Sequence, residues 1–109
     1  MNVKELIPSV THVARLGLSE ANFAPDGSGC FVVTTFSGDI LSIGSSPNIR
    51  NCFRTTGPRL KDTGLVGYRQ PVFFHWRLAT NPADLERAWL KRHKLAEDAL
   101  PPLNSGFSA

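Results

Sequence analysis

The sequence predicts a small α/β domain of the α+β type, a three-stranded, mainly antiparallel sheet flanked by helices. Three observations predict it. Residues 30–36 (Cys-Phe-Val-Val-Thr-Thr-Phe) are rich in the β-branched and aromatic side chains that suit a pleated, half-buried surface. Ser37-Gly38-Asp39 supplies the glycine that a hairpin turn needs, and a short strand returns over 40–43. Ile49, Cys52 and Phe53 then recur at i, i+3, i+4, the spacing of one helix stripe.

The remaining elements follow from local signals. Pro8 and Ser9 are start signals for a short helix over 8–20, with Val13, Leu16 and Leu18 available for burial, although Gly17 weakens it. Residues 24–29 form a loop on turn chemistry alone. Ser46-Pro47 reads as an N-cap followed by proline at the first helical position, giving a helix over 47–56 that Gly57-Pro58 ends. A basic loop over 57–70 leads to a third strand, Val72 to Leu78. In that strand Phe73, His75 and Arg77 point one way, and Val72, Phe74, Trp76 and Leu78 the other. Asn81-Pro82 starts the last helix, which runs to about Ala96 with Leu85, Ala88, Trp89 and Arg92 along one side. Pro101-Pro102-Leu103-Asn104 is an extended exit, and 105–109 a frayed tail.

Composition narrows the function classes. The 109 residues fit one domain, 1–109, long enough for one modest core. The longest apolar runs fall far below the ~20 residues that span a bilayer, so no membrane partner is expected. The N-terminus has Lys4 and Glu5 but no apolar signal core. Cys30 and Cys52 lack metal-type spacing and read as reduced thiols of a cytoplasmic protein. The net charge is only +3, but its distribution is uneven. Arg50, Arg54, Arg59, Lys61 and Arg69 stand against the single acid Asp62 between positions 50 and 69. Arg87, Lys91, Arg92 and Lys94 form a second group. Such clusters meet phosphates by releasing counterions; otherwise they are a solvated surface.

Two short triplets carry a resemblance. Gly29-Cys30-Phe31 opens the first hairpin strand and Ser42-Ile43-Gly44 closes the second. Their order and spacing resemble the GIY-YIG superfamily of nucleases, whose signature triplets lie on the paired strands of one hairpin. The likeness covers about 29–104, with an N-terminal helix and loop over 1–28 outside it. Ile43-Gly44-Ser45-Ser46-Pro47-Asn48-Ile49-Arg50 is similar to the family's glycine, small-residue turn, asparagine and first helix. Leu85-Glu86 followed by a basic helix end resembles the family's metal-binding helix, and Pro102-Leu103-Asn104 its closing element.

The resemblance implies roles that the residues only partly support. Both signature tyrosines are replaced, by Phe31 and Ser42. Phenylalanine can neither exchange a proton nor hold a hydrogen bond, and serine keeps a hydroxyl on a much shorter arm. The family's phosphate-steadying arginine falls at Cys52. Arg50 and Arg54 flank it, each about 200° around the helix, so neither replaces it without a rotated helix. Glu86 survives as the position that in the family binds one divalent cation, Mg2+ or Mn2+, and Asn104 as the terminal asparagine that buttresses the site. Tyr68, the only tyrosine, and His75 are candidates for relocated catalytic groups, the bland alternatives being a loop aromatic and a structural histidine.

Three functions compete. The first is a degenerate domain that binds nucleic acid, DNA more than RNA, through Arg50, Arg54, Arg59, Lys61 and Arg69, with catalysis doubtful. The second is an active metal-dependent endonuclease with relocated residues. The third is a protein-interaction module on a nuclease scaffold, serving a protein partner or a homodimer.

Overall fold

Strand β2, Gly29–Thr34, is apolar at successive positions because both faces of its sheet are covered. Cys30 and Val32 enter one core and Phe31 and Val33 the other. The computed structural model describes residues 1–15, 24–62 and 72–104, and for Arg15 and residues 57–62 the backbone alone. The other strands are β1 (His12–Arg15), β3 (Ile40–Ser46) and β4 (Phe73–Leu78). They form one antiparallel sheet in the order β1-β4-β2-β3. Helix α1 (Ile49–Asp62) packs on one face and α2 (Pro82–Glu97) on the other.

The expectation of three strands is therefore corrected to four. The overturned element is the helix over 8–20, since His12–Arg15 pairs antiparallel with β4 from His12 opposite Trp76 to Arg15 opposite Phe73. The open edge of β4 is the physical reason. The Thr11 N–H and hydroxyl both donate to the Trp76 carbonyl, at 3.0 and 3.1 Å, and the His12 ring stacks on Trp76 with centroids 5.5 Å apart. Cross-strand partners outweigh the local helix signal. Leu16, Gly17 and Leu18 lie outside the described residues.

The hairpin forms around the expected turn, with Gly38 at φ +92°, but its first strand ends two residues earlier than 30–36 implies and its second runs three residues past 43. Phe31 pairs with Gly44, Val32 with Ile43 and Val33 with Ser42. The register then slips, Thr34 pairing with Ile40, so Leu41 is an extra residue on β3. This bulge returns Ile40 to the same core as Ile43.

Helix α1 starts two residues later than expected and ends six residues later. Asn48 caps it: its Oδ1 accepts from the Asn51 N–H at 3.0 Å, while the Ser46 hydroxyl donates to the Asn48 carbonyl at 2.9 Å. Gly57-Pro58 does not stop the chain, although Pro58 cannot donate a backbone bond. Ile49 and Phe53 are buried against Val33, Phe74 and Trp76, and Cys52 lies half-buried beside them. On the other face Trp89 of α2 is fully buried, and its Nε1–H donates to the Pro8 carbonyl at 2.7 Å. Among the described residues no helix is long and apolar enough to cross a membrane.

Candidate functional site

β3 is an edge strand, so side chains from both helix layers can meet around it. Phe31, Ser42, Cys52, Glu86 and Asn104 all line one cleft of about 630 Å³ there. Each comes from a different part of the fold: β2, β3, α1, α2 and the segment after α2.

Phe31 is held from two sides. Its ring stacks on Phe74 with centroids 5.3 Å apart, and it lies against Gly44, where a Cβ would stand 2.5 Å from Phe31 Cζ. The glycine is thus required by the ring and not by a turn. Ser42 is only 2% exposed, and its hydroxyl makes no hydrogen bond with any described residue. Among the described residues no side-chain polar atom cut off from solvent lacks a partner, so this oxygen opens on the cleft. Asn104 is paired with β3: its Oδ1 accepts from the Ile43 N–H and its Nδ2 donates to the Ile43 carbonyl, both at 2.9 Å.

Cys52 faces the cleft beside Thr56, the two side chains 3.7 Å apart. Cys30 lies in the opposite core, its thiol 2.9 Å from the Pro82 carbonyl. Burial, followed by the negative charge of Glu86, pushes the Cys30 thiol up to about 12. Neither Cys30 nor Cys52 is in a disulfide.

The other expected site residues that the structure describes are absent from the lining of this cleft. His75 is in register with Val32, on the α2 face, and lines a separate cavity of about 260 Å³ with Thr34 and Phe73. Its Nε2 is 2.9 Å from the Thr34 hydroxyl, and burial lowers its pKa to about 4, so the ring is neutral at neutral pH. Arg50 donates through Nε to the Ala24 carbonyl at 2.9 Å. Arg54 is exposed on α1, and Arg59 and Lys61 follow in the helix's final turns. Tyr68 and Arg69 lie outside the described residues.

The cleft is poor in groups that hold anions. Among the described residues its lining contains no Lys, Arg or His. The first N–H groups of α1 are already spent on Gly27 O, Pro25 O, Asn48 Oδ1 and Asn48 O, at 2.9 to 3.1 Å, so the helix N-terminus offers no donors to a phosphate. Glu86 is the single charged side chain of that lining, and among the described residues no group of three or more His, Cys, Asp or Glu could hold a metal. A Mg2+ or Mn2+ ion at Glu86 would have to draw its remaining ligands from water and substrate. Thr55 and Thr56 also line the cleft, unforeseen from the sequence. Their spacing of i+3 and i+4 from Cys52 was the available signal.

No family model, curated protein or solved structure matches the chain.

Proposed function

We propose that the chain is a GIY-YIG-like domain of the cytoplasm that associates with nucleic acid, DNA before RNA, without cutting it. The observation that carries the proposal is the meeting of Phe31, Ser42, Cys52, Glu86 and Asn104 in one cleft. Five positions separated by up to 73 residues in the chain fall together where the family resemblance expects an active site. The same positions lack the chemistry for cleavage. Phe31 carries no exchangeable proton, and Cys52 no fixed positive charge. Losing a proton-transfer group and an electrostatic stabiliser each costs about 10²-fold or more in rate. Nucleic acid would instead meet the cations on α1 and beyond it, Arg54, Arg59, Lys61 and Arg69, through its phosphates.

The test is twofold. Anisotropy of a labelled DNA duplex is titrated at several salt concentrations, and supercoiled plasmid is incubated with Mg2+ or Mn2+. Binding should fall along a log–log line with salt, and Arg54→Ala should reduce the slope by about one. Neither the wild type nor Glu86→Ala should nick the plasmid. Salt-independent binding, or none, overturns the nucleic-acid reading and turns attention to a protein partner or a second copy of the chain. Nicking that disappears in Glu86→Ala overturns the non-cutting half and establishes a metal-assisted endonuclease with relocated residues.

A further inference from the structure

The cleft carries one charged side chain, Glu86, and hydroxyl groups whose oxygens can accept. The Thr55 hydroxyl gives its proton to the Asn51 and Cys52 carbonyls, at 3.1 and 3.2 Å, and the Thr56 hydroxyl gives its proton to the Cys52 carbonyl at 2.6 Å. Both oxygens keep acceptor lone pairs. The Asn104 amide accepts from the Ile43 N–H and gives one of its two N–H groups to the Ile43 carbonyl. Glu86 can only accept when ionised. Its negative charge reaches into the surrounding structure, where it helps to hold the Cys30 thiol in the protonated form.

Against this stands one side chain built to receive a ligand. Ser42 is 2% exposed, lines the cleft and has no hydrogen-bond partner among the described residues. Its oxygen opens on the cleft, so water or a ligand there must satisfy it. Ser42 can accept one N–H and rotate its own proton to suit.

We infer that the cleft takes an organic cation bearing N–H donors, a primary ammonium or a guanidinium group, held by the Glu86 carboxylate and the Ser42 hydroxyl. The negative charge of Glu86, in a lining with no Lys, Arg or His among the described residues, matches such a group and repels a phosphate. A guanidinium presents several donors in a fixed fork that one carboxylate and a hydroxyl of the same cleft can share. A cleft of about 630 Å³ falls within the range of small-molecule sites. This function goes beyond nucleic-acid association and does not depend on it. Two sources can supply the group, a free amine or the Lys or Arg side chain of a peptide.

The test is titration of the isotope-labelled protein with agmatine, followed through its backbone amide NMR signals. Saturable shifts are expected at Ser42, Ser45, Cys52 and Glu86. Inorganic phosphate at equal concentration should leave those signals in place. Glu86→Gln keeps the shape and removes the charge, and should weaken agmatine by about tenfold or more. Ser42→Ala should weaken it by about fivefold. Spectra of both variants that match the wild type away from the cleft establish that they fold. An arginine-containing tripeptide that binds more tightly than agmatine assigns the site to a protein side chain, and the reverse order assigns it to a free amine. The inference is overturned if agmatine shifts no cleft signal, if Glu86→Gln binds it undiminished, or if phosphate occupies the cleft instead. A failed DNA titration would sink the nucleic-acid proposal and leave this result standing.

Discussion

The side chain of Asn104 pairs with the backbone of Ile43 as a further strand would, accepting its N–H and donating to its carbonyl, both at 2.9 Å. The Leu103 N–H adds a bond to the Leu41 carbonyl at 2.8 Å. The segment after α2 thereby satisfies part of the edge of β3, which would otherwise present unpaired groups. It also fixes the wall of the cleft that carries Ser42.

Asn104→Ala removes both bonds and leaves the Ile43 groups without their partner. Each bond contributes on the order of 1 kcal/mol, so a loss of about 1–3 kcal/mol is expected in urea unfolding. Asn104→Asp should be no better, because a carboxylate accepts from the Ile43 N–H but cannot donate to its carbonyl. Hydrogen exchange at the Ile43 amide should accelerate in both variants while the amides of β4 stay protected. An unchanged Ile43 amide in Asn104→Ala would mean that the pairing contributes little.

Gly44 and Phe31 should behave as a coupled pair. A methyl group at Gly44 meets ring atoms of Phe31 at 2.5 and 2.7 Å, and the ring is backed by Phe74. Gly44→Ala is therefore expected to cost about 1–3 kcal/mol by overpacking. Removing the obstacle with Phe31→Ala should make the second substitution much cheaper. A double-mutant cycle in urea should show coupling of about 0.5–3 kcal/mol. Strict additivity would show that the ring moves aside at no cost.

The sequence revealed the hairpin, α2 and the apolar stripe of α1 because each rests on a strong local period. Ile49 and Phe53 are buried as their spacing implies. β1 was not legible for a different reason. It has four residues, and its partner Phe73–Trp76 lies some 60 positions along the chain, so only the tertiary edge makes it a strand. The end of α1 was hidden by Gly57-Pro58, which the helix passes through. In the site, Phe31, Ser42, Cys52, Glu86 and Asn104 line one cleft. His75 does not join them, since strand alternation turns it to the face of Val32 while Phe31 faces α1. That the Ser42 hydroxyl would open on the cleft has no signature in a serine's neighbours.

His75 predicts a pH dependence of stability. Its pKa is lowered to about 4 in the folded protein by burial, against about 6.5 in an unfolded chain. The unfolded state thus binds the extra proton, and stability rises with pH across this window. The contribution is fully present above about pH 6.5 and is lost as pH falls toward 4. On the order of 1–2 kcal/mol is expected, less than for a fully buried ring because His75 is partly solvated. His75→Gln retains a polar partner for Thr34 and should flatten the urea midpoint between pH 4 and 6.5. A midpoint equally steep in the variant would assign the dependence to other groups.

The two thiols should differ in reactivity. Cys30 is completely buried, its thiol 2.9 Å from the Pro82 carbonyl, and burial together with the charge of Glu86 pushes its pKa to about 12. The reactive thiolate is therefore scarce and out of reach. Cys52 is half-buried and lines the cleft. A disulfide reagent at pH 8 should modify Cys52 in the folded protein and Cys30 only after denaturation. Cys52→Ser should abolish the native-state reaction. Agmatine should slow that reaction if it occupies the cleft, since Cys52 lines the same cleft as the Glu86 and Ser42 groups that hold the cation. Rapid modification of both cysteines in the native protein would mean that the core around Cys30 opens far more readily than its packing against Val32, Ile43 and Trp89 allows.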